Sequence, residues 1–426
     1  MSSTATGGGF AALMRKIYGP AVTLLPKDGS IAAAMKFVPM EQRDGADYNF
    51  PIKVSHEHGV TFNIDYSAYT LSSAVDSTWA QATLAGAEMT LVGDLPLATV
   101  MRMLNSKGAD GDGVRRKVDG MLESLDFYRE LFLMYGGGSG ATLLANIGVV
   151  SAKVSGTNLG SGEVISITKA TWSAGIWNNM TGAKVDVYQS NGSTLVESDC
   201  TVSAVSLSDN KFTLTKAASS ANVAAGYLII PRLSKAKMCV GIQGIAENTG
   251  SFAGISVATY PQWGFLSQTA GSTTLSNAVI KRLAARLKQN GASGGADLYL
   301  NANAFADLDI EISDDARYSE PQGAKTTGMD SFTIKSAIGP IRVIDYTYMK
   351  QGIGLLITKN NGKRIGACDI TTGNVGKSGD WFYQDLESSN GGRLRAYSNQ
   401  APIFERPYHC AIINNIVSSG DTTPAS

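Results

Sequence analysis

His56-Glu57-His58 is the first place to look for metal chemistry, because two imidazoles on one strand face can chelate a divalent ion. A catalytic zinc site needs a third protein ligand. The chain holds three histidines in all, and the last, His409, is remote in sequence. The H-E-x-x-H spacing of helical zinc sites is absent. Ser55 and Gly59 flank the triplet, so its polar turn chemistry reads as a solvated hairpin tip.

Other motifs fail on similar grounds. The glycines of GGGSG, Gly136 to Gly140, would suit a phosphate cradle. A P-loop, however, places G-x-x-x-x-G-K-[ST] between a strand and a helix start. Here the glycines follow a helical segment with no Lys-Ser or Lys-Thr after them, so a left-handed helix cap and bend are expected. Ala109-Asp110-Gly111-Asp112-Gly113 resembles part of a calcium loop, but the twelfth position from Asp110 is Met121, where a glutamate is required. Ser139 is no nucleophile elbow, because Ala141 replaces the trailing glycine of G-x-S-x-G. No catalytic residue, metal ligand or cofactor is expected. The densest basic groups are Arg115-Arg116-Lys117 and Lys281, Arg282, Arg286 and Lys288. Both lie in helical segments. They read first as solvated faces, and second as contacts to a neighbouring subunit or to phosphates.

Composition narrows the class further. The 426 residues carry 36 basic and 36 acidic side chains, so no histone-like basic coat is present. Charged residues make up 17%, and Gly accounts for 47 positions. A neutral, sparsely charged, glycine-rich chain has little repulsion to oppose association, which suits a structural protein. At 43% hydrophobic the chain can bury sizeable cores. Its length implies more than one folding unit. Cys200, Cys239, Cys368 and Cys410 form no C-x-x-C pair and read as reduced, mostly buried thiols. No signal-peptide core or membrane-spanning run is found, so neither secretion nor membrane insertion is expected.

The elements that position these residues are legible as periods. Residues 1–45 read as an extended arm. Residues 48–71 read as a long β-hairpin with limbs YNFPIKV and VTFNIDYSAYT; Phe62, Ile64 and Tyr66 alternate with polar residues and share one face. Residues 72–95 form a polar, Ser- and Ala-rich return. Val114 to Tyr135 carries a helical stripe that widens in its second half, predicting a long helix in contact on two sides. Residues 152–236 switch to short apolar stretches separated by turns, predicting a small, separate, helix-free β barrel or sandwich at the outer surface. A second helix spans SNAVIKRLAARLKQ with Leu275, Val279, Leu283 and Leu287 in its stripe. A strand, a short helical piece through Phe305 and Leu308, and a polar loop from Ser313 to Asp330 follow. The last third is strand-rich. The fold class is α+β.

This order of parts resembles the major capsid protein of tailed double-stranded DNA phages. The resemblance implies an N-arm at 1–45, an E-loop at 46–92, and a peripheral domain with its spine helix at 93–151. An inserted β domain at 152–236, a peripheral return at 237–271 and an axial domain at 272–330 follow. Peripheral and axial strands and a tail complete the chain at 331–426. It implies a non-enzymatic subunit that assembles in the host cytoplasm into pentamers and hexamers of a virion head enclosing double-stranded DNA. A portal, a separate scaffolding protein and a possible decoration protein are the implied partners. Lys53, Phe62, Ile64 and Tyr66 would contact a neighbouring subunit; Arg115, Arg116 and Lys117 would face a subunit or the DNA. A tail-tube or decoration protein, or a glycan-binding β protein, is the alternative. Physical reasoning agrees with the shell: an isolated two-stranded hairpin is marginal in water and needs a surface to lie on.

Overall fold

The computed structural model describes residues 30–39, 43–44, 47–64, 68–96, 111–137, 146–317, 331–372, 383–385 and 391–419. Most of the expected arm and Tyr66 lie outside them. In chain order, α1 (Ser30–Ala34) leads into β1 (Lys36–Pro39), β2 (Arg43–Asp44), β3 (Asp47–Lys53), β4 (Trp79–Leu84) and β5 (Ala87–Pro96). The long helix α2 (Gly111–Tyr135) follows. Next come β6 (Gly148–Ser155), β7 (Glu163–Ile167), the single turn α3 (Ala174–Asn178), β8 (Lys184–Tyr188), β9 (Leu195–Ser206), β10 (Lys211–Thr215) and β11 (Leu228–Pro231). After α4 (Ile242–Ala246) and the short pair β12 (Ser251–Phe252) and β13 (Ile255–Ser256) come β14 (Leu266–Thr273), α5 (Asn277–Gln289), β15 (Ala296–Leu300) and α6 (Ala302–Arg317). The chain ends in β16 (Ser331–Ser336), β17 (Gly339–Asp345), β18 (Ile353–Thr358), β19 (Gly362–Thr371), β20 (Tyr383–Asp385), β21 (Gly391–Phe404) and β22 (Ala411–Ile416).

Among the described residues these strands make three large assemblies. One sheet runs β1-β19-β21-β20, with β5 paired along β21. A six-stranded sheet runs β14-β22-β18-β15-β17-β16, and β6 to β11 close into a barrel. The small β2-β3-β4 sheet carries the hairpin.

Helix α2 is 25 residues long, about 37 Å at 1.5 Å per residue. Its widening stripe has a simple cause. Val118, Met121 and Leu125 pack with Leu394 and Ala396 of β21, whereas Leu131, Met134 and Tyr135 enter the main core. The expected left-handed glycine cap is absent at Gly136, which is not among the positive-φ residues. Gly136 is needed for close approach instead: a Cβ there would lie 2.3 Å from the Cys239 carbonyl oxygen. Helix α5 does end as expected. Gly291 takes φ +90, and the Ala292 N–H bonds back to the Leu287 carbonyl at 3.0 Å.

The hairpin differs from expectation in its second limb. The partner of β3 is β4, in register from Tyr48 opposite Leu84 to Lys53 opposite Trp79. The alternating run around Phe62 and Ile64 lies in the connection between the two strands and belongs to no strand. Alternation marks a strand only where a neighbouring edge supplies a ladder of hydrogen bonds, and no strand among the described residues pairs with this segment. The two arms of the connection are tied by His58 N to Val75 O at 3.1 Å and Ser72 N to the Thr61 hydroxyl at 2.7 Å.

The barrel begins at Gly148, four residues earlier than expected, because β6 opens on the Gly148–Ile229 pairing with β11. It is not free of helix. The turn α3 places Trp177 between Trp172 and Phe212, with ring centroids 5.7 and 4.2 Å away. These rings belong to the same core as Met134 of α2 and Tyr346 beyond β17. Three bonds tie this end of the barrel to the loop before β18: Ser173 Oγ to Thr347 O at 3.0 Å, Gln351 N to Trp172 O at 3.0 Å, and Gly352 N to Ala170 O at 2.9 Å. A Cβ on Gly352 would meet the Ala170 oxygen at 2.9 Å. Gly352→Ala is therefore expected to lower stability by roughly 1–3 kcal/mol, the usual cost of overpacking. Urea denaturation followed by tryptophan fluorescence checks it; an unchanged midpoint would show that this docking is slack.

The last helix also exceeds its expectation. Rather than a short piece followed by a loop from Ser313, α6 continues through Arg317. The cysteines are free, with Cys200, Cys239 and Cys410 buried and Cys368 half-buried. No helix among the described residues is long and apolar enough to cross a membrane.

Candidate functional site

Apolar side chains that a folded subunit leaves in water mark where something else must lie. Among the described residues, fourteen large hydrophobics are exposed, and seven of them fall between Val60 and Trp79. Phe62 is 90% exposed and Ile64 96%, with Leu71 at 74%. Val60, Tyr69, Val75 and Trp79 complete the strip. The sequence pattern pointed to Phe62 and Ile64; it missed Leu71, at the end of the expected hairpin, and Val75 and Trp79, which lie in the Ser- and Ala-rich return without a period.

The root of this hairpin is firmly seated. Ala82 is fully buried, Thr83 N bonds Ala253 O at 2.9 Å, and the Phe50 ring lies 6.4 Å from that of Trp263. Two grooves flank the root. One, of about 500 Å³, runs between Tyr48, Phe50 and Ile52 of β3 and Lys363, Ile365 and Ile403. The other, of about 280 Å³, is walled by Ile52, Val54 and His56 against Ile255, Tyr260 and Trp263. Lys53 borders both, and its Nζ sits 5.9 Å from the Trp79 ring centroid. It is thus a root residue, separated along the chain from Phe62 and Ile64. His56 lines a groove, and no group of three or more His, Cys, Asp or Glu able to hold a metal occurs among the described residues.

The predicted basic group divides. Arg115 and Arg116 lie in the first turns of α2, and their side chains are outside the description. Lys117 is half-buried where α2 packs on β5; a Cβ on Gly93 would touch its Cε at 3.4 Å. The structure does not join this group to the hairpin strip.

Two buried ionic groups that sequence reasoning missed brace the elements carrying the hairpin. Glu130 of α2 is fully buried and accepts hydrogen bonds from Ala32 N of α1 at 3.0 Å and from the Tyr346 hydroxyl at 2.9 Å. Burial pushes its carboxyl up to about 7, against the pull of those two donors. Next to it, Arg364 of β19 donates to Met35 O at 3.0 Å, to Asp369 at 3.1 Å and to Gln400 at 2.8 Å. Arg129 reaches the same Asp369 at 3.1 Å. Together they clasp the segment 31–39 to helix and sheet, with β1 running parallel to β19. Lys350 is the second. Its ammonium donates to Asn146 O at 2.9 Å and to the side-chain oxygens of Asn146 and Gln243, both at 3.3 Å, over the Tyr135 ring at 4.2 Å. Burial pushes it down to about 7. It welds the entry to the barrel onto α2 and α4.

The sequence matches no protein-family model, and no curated relative is found. Solved structures are informative. The cyanophage A-1(L) capsid asymmetric unit superposes with a TM-score of 0.52 at 12% identity, over 94% of this chain and 96% of that one. The capsid of a native GTA particle covers 98% of this chain and 99% of its own at 8% identity and a TM-score of 0.48. That of cyanophage P-SCSP1u covers 96% and 94% at 8% identity and 0.47. The fold inference rests on the first: this chain has a phage capsid fold of the α+β class.

Proposed function

We propose that this chain is the major shell subunit of a tailed-phage head, assembling with itself into pentamers and hexamers around double-stranded DNA. The observation that carries the reading is the strip of exposed apolar side chains on the hairpin, in a chain whose fold matches a capsid subunit nearly end to end. In this reading residues 46–92 are the E-loop, α2 is the spine helix, and the sheet bearing α5 and α6 is the axial domain. The arm clasp fixes residues 31–39 to helix and sheet. A separate scaffolding protein, a portal and a decoration protein are its expected partners, and the virion head is its place after assembly in the host cytoplasm.

Negative-stain electron microscopy of the overexpressed chain, alone and with a co-expressed scaffold, tests it. Closed shells or capsomer rings are expected. Open tubes would favour a tail component, and a persistent monomer by sedimentation in both conditions would overturn the proposal.

A further inference from the structure

Helices α5 and α6 lie together on one face of the six-stranded sheet. Leu283 and Leu287 of α5 and Ala304 and Leu308 of α6 share a core with Leu298 and Leu300 of β15. The Glu311 carboxylate of α6 accepts from Asn277 N, the first residue of α5, at 3.0 Å. The outer surface of this two-helix layer is electrically divided. Lys281, Arg282, Arg286 and Lys288 of α5 are all exposed, and that helix contains no carboxylate. None of the four has an ion-pair partner among the described residues; Arg286 donates to the Gln268 amide oxygen at 2.8 Å. Helix α6 carries the opposite charge in sequence: Asp307, Asp309, Glu311, Asp314 and Asp315 against the single Arg317. Of these, Asp307 is engaged by Ser419 and Glu311 by the start of α5. Asp309 is exposed, and beside it Ile310 is 60% exposed.

Helix α6 places charge against its own dipole, whereas Arg286 and Lys288 in the last turn of α5 lie with theirs. Asp314 and Asp315 stand near the end of α6, where its carbonyl end repels anions. Arg282 and Arg286 also repel one another one turn apart. A solvated helix layer usually intersperses the two signs instead. The arrangement is locally unfavourable and becomes favourable against a surface of reversed pattern, which a second copy of the same layer supplies.

We propose that the cationic face of α5 on one copy docks against the acidic face of α6 on a second copy, with Ile310 at the joint. This rests on the shell reading and adds the contact that selects neighbours around a capsomer. A packaged phosphate chain is the less suitable occupant, because the acidic helix beside α5 would repel it.

Charge reversal and swap on the full chain tests the pairing. Lys281→Glu with Arg282→Glu and Lys288→Glu should cut the assembled fraction about tenfold or more, as should Asp309→Lys with Asp314→Lys. Circular dichroism and a monomeric sedimentation profile would show that each variant is folded. Combining all five changes in one chain should restore assembly, and mixing the two variants should restore six-membered rings, in which they can alternate. Wild-type shells with unaffected variants would overturn this contact alone. Shells of the α5 variant that assemble normally but retain less nucleic acid would also overturn it, in favour of a phosphate contact. A wild-type chain that never assembles would remove the shell reading and this contact with it.

Discussion

The double variant Phe62→Asp, Ile64→Asp should remain folded and soluble yet form no shells or capsomer rings. Both side chains are almost wholly in water in the isolated subunit, so the charges break no internal packing. Covering an aromatic or branched aliphatic side chain is worth roughly 1.5–3 kcal/mol. Two such groups lost at each interface, with two carboxylates to desolvate in their place, outweigh an exposed ion pair worth up to about 1 kcal/mol. Repetition around a ring multiplies the deficit. Charge changes at Glu57 or His58, in the same connection but off the apolar strip, should have much smaller effects. Circular dichroism, size-exclusion chromatography and electron microscopy on purified variants check both halves of this expectation. Normal shells from the double variant would sink the assignment of the strip as an assembly contact.

The same strip shows where sequence reasoning works and where it stops. Helices α2 and α5 were legible because their apolar stripes face cores inside the chain, and periodicity reports such faces directly. Phe62 and Ile64 carry a genuine period of two, but no strand among the described residues pairs with them, so the inferred limb was placed about fifteen residues too early. The true limb, WAQATL, has little β preference and one fully buried residue, Ala82. Its pairing follows from β3 and from the seat under Ala253, both tertiary facts. Gly136 illustrates a related miss. Glycine there was read as conformational freedom, whereas the closeness of Cys239, over a hundred positions away in sequence, is what excludes a side chain. The clasp was invisible for the same reason. Arg129-Glu130 reads as an ordinary solvated helix pair, and nothing local reveals that Ala32 and Tyr346 converge on the carboxylate from 98 and 216 positions away.

That carboxylate sets the second large effect, a pH-dependent loosening of the arm. Burial moves the Glu130 carboxyl from 4.5 up to about 7, so the native state holds a proton that the unfolded chain releases between those values. A raised acid contributes stability that is fully present below about 4.5 and is lost as pH rises through about 7. The full displacement corresponds to on the order of 3 kcal/mol. Another buried group titrates near this interval: Lys350, pushed down to about 7 by its own burial. The informative quantity is therefore a difference. Glu130→Gln keeps one acceptor oxygen for Ala32 N, and its amide N–H can donate to the Tyr346 hydroxyl oxygen, but it cannot ionise, so it should gain on wild type by up to about 3 kcal/mol between pH 4.5 and 8. The gain should also be local. As wild-type Glu130 ionises, charge collects in a buried site whose second neighbour is the backbone of α1, and amide exchange across residues 31–34 should quicken with pH beyond its intrinsic base catalysis. In Glu130→Gln that excess should vanish. Urea midpoints for both chains across this range, with peptide-resolved hydrogen exchange over α1, supply the test. Parallel stability curves and identical exchange excess would show that Glu130 titrates elsewhere, and that the arm is held by Arg364 and the β1–β19 pairing alone.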